Sequence, residues 1–416
     1  MRAQLDQFYL FPDLIDRSVN PANFSDVQSY IDALVEPARK AERDRFFTFI
    51  TSITAEEALA SGAAAGFGIR LSYANNRVFV VEAFENAPGF AAGLDRGTEI
   101  LAINGRSVAS LFASGDRDAV IAALGPSDPG VTRSLLIRDV NGVEREVSVT
   151  KAEFILDPIS DRTGVKILQD GGKNVGYLNL RTFFNDDVLP SDFRAAFRQF
   201  QQAGVTEVIL DFRYNSGGFV TQAQLLGSLL GGNYTGQVFS RIVNRPSRAN
   251  ENVTLEFTRE AEAIGVTKLA VIGTQGTASA SELVANAFIP YLGNNVALIG
   301  MNTAGKPVGQ IAVDRAACDD RFRVVAFRTV NAAGQGDYYT GLASVIPRTC
   351  RAEDQLSRQL GDPQEASIRT ALDFLAGRSC TPISGVQGAQ SQRGQQRELL
   401  RTYNDNPAQR ELPGLF

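Results

Sequence analysis

The sequence predicts an α/β protein carrying a separate β-rich module, and three patterns lead to that expectation. From residue 174 onward, apolar strand-like runs alternate with helical runs: strand 174–182, helix 191–202, strand 205–213, helix 220–230, strand 268–273, helix 280–292 and strand 296–300. Such alternation is what buried strands joined by crossover helices produce. Residues 66–150 instead show short strands at 68–74, 77–84, 99–103, 134–140 and 143–150. Asn141-Gly142 lies between the last two, and a two-residue turn of positive φ is the expected link there. The first 60 residues read as helical: Ser25 or Asp26 can cap a run in which Val27, Tyr30, Ile31, Leu34 and Val35 recur at helical spacing. A second helix is expected over 45–53, and the Ala/Gly stretch 58–65 reads as a joint.

At 416 residues with 44% hydrophobic and 21% charged side chains, the chain has the composition of two or three domains with ample cores. Its charge is −5, from 41 basic and 46 acidic residues spread along the chain, which argues against a nucleic-acid partner. Histidine is absent. That removes Ser-His-Asp and Cys-His catalysis and any zinc site with an imidazole ligand. Hydrolytic chemistry must then rest on another base, and only six lysines are present: Lys40, Lys151, Lys166, Lys173, Lys268 and Lys306. Cys318, Cys350 and Cys380 are too few for a four-cysteine metal site. One disulfide is the favoured reading, with Cys350 and Cys380 able to bracket the helical segment between them, and free thiols are the alternative. No metal or cofactor is expected. No run approaches the roughly 20 apolar residues of a membrane span. The first 50 residues lack a signal pattern, so either the protein is cytoplasmic or a leader has been removed.

Three segments have chemical potential. Thr277-Ala278-Ser279-Ala280-Ser281-Glu282 follows a buried strand and opens a helix, which offers free N–H groups beside a serine; a plain helix cap is the bland reading. Gly305-Lys306-Pro307-Val308-Gly309-Gln310 follows the next strand. A desolvated lysine there would act as a base with Gln310 orienting its amine, whereas a solvated surface lysine is the ordinary alternative. The same stretch nearly spells a phosphate-binding loop through Gly300, Gly305 and Lys306, but Pro307 stands where a Ser or Thr is needed. The third segment, Leu210-Asp211-Phe212-Arg213-Tyr214-Asn215-Ser216-Gly217-Gly218, runs from a strand into a glycine turn that can present N–H groups to an anion or be merely tight.

Together these segments resemble a known family. Gly66-Phe67-Gly68-Ile69, Asn86-Ala87-Pro88-Gly89 and Gly97-Thr98-Glu99-Ile100-Leu101 look like a PDZ domain. Followed by LDFRYNSGG, TASASE and GKPVGQ, the set is similar to the carboxyl-terminal processing (tail-specific) serine proteases over about residues 60–315. The resemblance implies a crotonase-like (ClpP/crotonase-type) core of β-β-α units with an inserted or preceding PDZ domain and an N-terminal helical segment. By motif, it makes Ser279 the nucleophile, Lys306 the general base and Gln310 the group that holds the lysine. The N–H groups of Gly218 and Ala280 would form the oxyanion hole, and Gly66, Phe67, Gly68 and Ile69 the loop that captures a peptide carboxylate. Ser281 remains an alternative nucleophile, since sequence does not separate two serines in one turn. Departures from the family pattern are a serine-to-lysine interval about two residues longer, the turn Met301-Asn302-Thr303 before the base and Pro307 directly after it.

The expected organisation is a helical segment at 1–62, a PDZ domain at 63–152, a protease core at 153–383 and a flexible tail at 384–416 with at most a short helix near 398–402. Expected partners are protein or peptide substrates with unstructured C-termini. A homodimer contact is expected to involve Phe46, Phe47 and Phe49, which could alternatively dock on the core. The family implies an extracytoplasmic location, in the bacterial periplasm or cell envelope. A PDZ-containing scaffold with an unproductive dyad is the non-enzymatic alternative. The chain's last residues, Pro413-Gly414-Leu415-Phe416, raise the option of self-docking.

Overall fold

The computed structural model describes residues 1–114, 117–383, 397–401 and 407–416. At its centre is a six-stranded sheet in the order Val165–Asp170, Lys173–Asn179, Glu207–Asp211, Lys268–Gly273, Val296–Gly300, Arg348–Arg351. The first pair is antiparallel and the remaining pairs are parallel. The inner strands are continuous apolar runs because both faces of the sheet are covered. Helices Leu189–Gln202, Val220–Leu230 and Ala280–Leu292 cover one face, and helix Ala366–Leu375 covers the other. Leu189, Phe193, Ala196, Phe197 and Phe200 recur at helical spacing and are all buried, so the first of these helices is held by its inward stripe. The expected α/β alternation is therefore present, with element ends within a few residues of their expected positions.

The β-rich module is an antiparallel sheet of Ile69–Ala74, Arg77–Ala83, Glu99–Ile103, Thr132–Arg138 and Glu144–Thr150. Strands Ala63–Gly66 and Ala152–Ile155 pair antiparallel where the chain enters and leaves it, so the module is an insertion on a two-stranded stem. The two-residue positive-φ turn lies at Asn75 (φ 51°) and Asn76 (φ 59°), between paired Ala74 and Arg77. At Asn141-Gly142 only the glycine has positive φ; Gly142 N donates to Asp139 O at 3.0 Å, and the Asp139 carboxylate accepts from the Asn141 and Val143 amides. The expected hairpin exists, but its turn is a longer one organised by Asp139.

The N-terminal segment departs from an all-helical reading. Asp26 caps Val27–Leu34 by accepting from Ser29 N at 2.8 Å, as expected. The helix expected over 45–53 is replaced by a turn and the strand Phe49–Ser52, which pairs with Asp320–Val330. Asp44 makes the difference: its buried carboxylate accepts from the Phe47 and Thr48 amides and from the Tyr9 hydroxyl, which closes a turn rather than a helix. Phe49 is buried and Phe47 packs against the same cluster, so those two dock within the chain; Phe46 stays exposed beside the Arg39 guanidinium.

Cys350 and Cys380 form a disulfide with Cα atoms 5.4 Å apart, bracketing helix Ala366–Leu375, while Cys318 is free and exposed. The expected flexible tail requires correction over its described parts. Glu398–Leu399 is a strand paired with Ser72 and Tyr73, not a helix, and residues 407–416 pack on the module with Leu412, Leu415 and Phe416 buried. Those apolar side chains, scattered in a polar stretch, find hydrophobic surface on the module that a tail-only reading does not see. The expectations for residues 384–396 and 402–406 lie outside the described residues. Among the described residues, no helix is long and apolar enough to cross a membrane.

Candidate active site

Three turns meet at the ends of the parallel strands. The first leads from Lys268–Gly273 into helix Ala280–Leu292. Thr277 is fully buried, with its hydroxyl donating to Phe212 O at 2.6 Å, and this pins the turn to the neighbouring strand. Ser279 then adopts φ 53°, ψ −115°, a costly conformation for a side chain with a Cβ. Ser281 is fully buried and donates to Asn215 O at 3.0 Å, so its hydroxyl is already committed.

The second turn continues strand Glu207–Asp211. Asn215, fully buried, donates to Leu180 O at 3.0 Å and accepts from Gly217 N at 2.9 Å, and its carbonyl accepts from Ala278 N at 3.1 Å. It thereby stitches the glycine turn to the serine turn. Gly217 and Gly218 have φ of 116° and 138°. A Cβ on Gly217 would lie 2.8 Å from the Ser279 Cβ, and one on Gly218 would lie 2.6 Å from the Phe183 carbonyl carbon. Only glycine allows this approach. Among the described residues the Gly218 and Ala280 N–H groups donate to no protein acceptor, which leaves two donors beside Ser279.

The third turn, residues 301–307, carries Lys306. Its Nζ donates to Gln310 Oε1 at 3.1 Å and lies 5.1 Å from the Phe47 ring centroid. The Gln310 amide in turn donates to Phe47 O. Arg45 Nη2 donates to Ala304 O and Gly305 O, each at 2.5 Å, so the N-terminal segment fastens the loop from outside. Burial of the amine lowers the Lys306 pKa from its ordinary value, with Glu411 and Asp44 opposing that shift. None of the ion pairs among the described residues involves Lys306. The other lysine with a lowered pKa, Lys151, is pushed down to about 8 by burial; it sits in the β-rich module and donates to Gly125 O and Pro126 O.

Glu282 joins the serine turn to the lysine turn. Its carboxylate is fully buried and accepts from Ser279 N at 3.0 Å, Lys306 N at 2.7 Å, Gly305 N at 2.7 Å and the Thr303 hydroxyl at 2.5 Å. Burial raises its pKa, and those four donors oppose the rise. The signal for Glu282 in the sequence is Ser-x-x-Glu at a helix start, the pattern in which the acid bonds back to the cap amide. Asn215, Asp44 and Arg45 were also not anticipated, since each acts through contacts distant in sequence. Glu282→Gln should replace acceptors with a donor facing N–H groups. We expect a stability loss of about 1–3 kcal/mol and a fall in kcat that exceeds any change in KM. Thermal unfolding and steady-state kinetics check both, and wild-type values would remove the bridging role.

The loop Gly66–Ile69 belongs to the module and is separate from this cluster. Phe67 is fully buried, and Gly68 has φ 68° with its Cβ position 2.0 Å from the Ala87 Cβ. The module nevertheless abuts the glycine turn: Arg96 Nη1 donates to the Tyr214 hydroxyl at 2.8 Å, and Arg70 donates to Tyr214 O.

Residues 174–337, which carry the serine, lysine and glycine turns, match the model of Peptidase family S41. That stretch of the core is similar to the S41 peptidases, and the chain is similar to carboxyl-terminal processing proteases. One such relative, the carboxyl-terminal-processing protease of Synechocystis, is 28% identical over 243 residues, 58% of this chain and 52% of that protein. The carboxy-terminal processing protease CtpB of Bacillus subtilis is 26% identical over 251 residues, 60% of this chain and 48% of that protein. The matched region thus spans about half the length of these relatives. In fold, the chain is similar to a Bacteroides fragilis protein assigned to the S41 proteases, with TM-score 0.72, 24% identity, and 90% and 96% of the two chains covered. The photosystem II D1 C-terminal processing protease aligns with TM-score 0.50 and 19% identity, covering 89% of this chain and 97% of the other.

Proposed function

We propose that the chain is a serine endopeptidase that cleaves C-terminal regions of protein substrates through a Ser279–Lys306 dyad. The observation that carries this reading is the enclosed Lys306 amine, bonded to Gln310 and to no carboxylate, on a loop tied to Ser279 through Glu282. Neutral Lys306 removes the Ser279 hydroxyl proton as Oγ attacks the peptide carbonyl carbon. The resulting oxyanion is met by the Gly218 and Ala280 N–H groups. The ammonium then protonates the leaving amine, and a water deprotonated by Lys306 hydrolyses the acyl-enzyme. Gln310 orients the amine throughout. In the finer architecture we propose, the core is crotonase-like and the inserted module is a PDZ domain whose Gly66–Ile69 loop and adjoining strand edge take the unstructured C-terminus of a substrate. The Cys350–Cys380 disulfide favours an extracytoplasmic location. The S41 match favours the peptidase over the scaffold alternative.

The test is cleavage of casein by wild type, Ser279→Ala, Ser281→Ala and Lys306→Ala, with mass spectrometry of the products. Ser281→Ala should retain activity within about tenfold of wild type, because its hydroxyl serves only the turn. Loss of activity in Ser281→Ala with survival of Ser279→Ala would reverse the assignment. A catalytically inert wild type that also resists fluorophosphonate labelling at Ser279 would return the scaffold reading.

A further inference from the structure

The exposed edge of strand Ile69–Ala74, where the proposed function seats a substrate tail, is covered by this chain itself. Glu398 and Leu399 pair with Tyr73 and Ser72, and Leu400 N donates to Leu71 O at 2.9 Å. Along the rest of the edge, Leu71 N donates to Gly414 O at 2.7 Å, Phe416 N to Ile69 O at 2.9 Å, and Ile69 N to Phe416 O at 3.4 Å. Arg70 and Leu415 form the intervening antiparallel bridge. The Phe416 side chain is 2% exposed, within a cluster that includes Phe67, Ile69, Val120 and Leu124. A Cβ on Gly66 would lie 2.8 Å from the Phe416 carbonyl carbon, so the glycine loop closes directly on that residue. This is strand addition with an apolar anchor, the general mode by which extended peptides are held at a sheet edge.

The same segment reaches the catalytic turns. Ser216, next to Gly217-Gly218, donates to Glu411 O, and the Glu411 charge acts on Lys306. Leu399 lies against Gly276 in the serine turn, where a glycine Cβ would be 2.9 Å from its Cδ1. The Arg410 guanidinium stacks 3.9 Å from the Phe49 ring centroid. Pro407–Glu411 is helical, with Leu412 N bonded to Ala408 O at 2.7 Å, whereas a scissile peptide must lie extended with its carbonyl free.

We propose that residues 398–400 and 407–416 act as an internal ligand that fills the peptide groove and covers the catalytic turns, so that incoming peptides must displace it. The competing ligand is an extended peptide with a large apolar residue at the position Phe416 takes and, two residues before it, one that tolerates positive φ, as Gly414 does at 85°. This inference rests on the peptidase reading for its consequence but not for its test.

That test uses a fluorescent decapeptide of residues 407–416, prepared with a free and with an amidated end, and titrated into the full chain carrying Ser279→Ala so that nothing is cleaved. Phe416→Asp removes the anchor. Gly414→Val, whose Cβ would lie 2.8 Å from Leu71 O, dislodges the segment while leaving its buried side chains in place. Because a tethered ligand competes at an effective concentration near millimolar, each variant should bind the peptide about tenfold or more tightly than its parent. If Phe416→Asp fails to fold, Gly414→Val decides. Equal affinity in parent and variant overturns the internal ligand even when the Ser279-containing enzyme cleaves casein normally. Tighter binding in an enzyme that never cleaves casein upholds the internal ligand and sinks the peptidase reading alone.

Discussion

Lys306→Ala and Ser279→Ala should each lower kcat/KM for an unfolded protein by on the order of 10³-fold or more, and combining them should cost little beyond either alone, because the two groups act as one unit. Lys306→Arg should be equally inactive: a guanidinium does not release its proton near neutrality and so offers no base. The direction of the lysine shift sets the pH dependence. Its folded pKa lies below the ordinary value of 10.5, so the neutral amine is populated as pH rises through that lowered value. Activity should therefore climb along a single ascending limb whose midpoint is below the ordinary lysine value. Gln310→Ala should lower kcat without abolishing it, since it removes the amine's acceptor but not the base. A profile flat from roughly pH 6 to 9.5 would exclude Lys306 as the base.

Arg213→Met should be the most destabilising single change in the core, at about 3–5 kcal/mol. The guanidinium is fully buried and bonds Asp211 at 2.8 and 2.9 Å, Glu365 at 3.1 Å twice, and Asp354 at 2.8 Å. Removing it takes the arginine charge from two fully buried carboxylates, Asp211 and Glu365, and leaves Asp354 with Arg96 and the Tyr214 hydroxyl, each at 2.5 Å. Burial alone would raise Asp354 and Glu365, but the adjacent arginine charges overcome it and hold both below the usual carboxylate range. Groups depressed in this way stabilise the fold above their unfolded pKa and lose that contribution as pH falls through the folded one. The gap between wild type and Arg213→Met should thus be full at neutral pH and narrow in acid as the carboxylates protonate. Urea unfolding at pH 7 and at about pH 2, below the ordinary carboxylate range, measures it; a pH-independent gap would mean that packing, not charge, holds this region. The same network links Arg96 of the module to Tyr214 at the start of the glycine turn. A lower activity in Arg213→Met at temperatures where it stays folded would therefore report on the turn's geometry.

The parts of this protein that sequence made legible are those set by local chemistry. The buried runs 268–273 and 296–300 declare themselves as strands because neither face meets water, and Ser279 and Lys306 stand in the turns that follow them, with Gln310 in the next strand, Val308–Arg315. The Asn141-Gly142 hairpin was legible as a hairpin, but its turn type was not, because Asp139 competes for the amides. The strand at Phe49–Ser52 was read as helix because its partner lies some 270 residues away, beyond any periodicity argument. Ser281 and Ser279 are equivalent on paper; only the contact of Ser281 with Asn215 O separates them. The described tail hides its packing for the same reason as the strand, since a polar composition conceals Leu400, Leu412, Leu415 and Phe416, whose apolar surface partners are elsewhere.

The pairing of Phe49–Ser52 with Asp320–Val330 also bears on when the site comes into being. Phe47 O, which holds Gln310, and Arg45, which holds the loop before Lys306, sit just ahead of that strand. A ribosome delivers residues 45–52 long before residues 320–330, and non-local pairing forms only once both partners exist. The base loop thus gains its outer brace late in synthesis, after both turns that flank the serine have been made. On the proposed reading, a nascent chain would carry Ser279 well before Lys306 gains its outer brace, so the dyad would be assembled only late in synthesis.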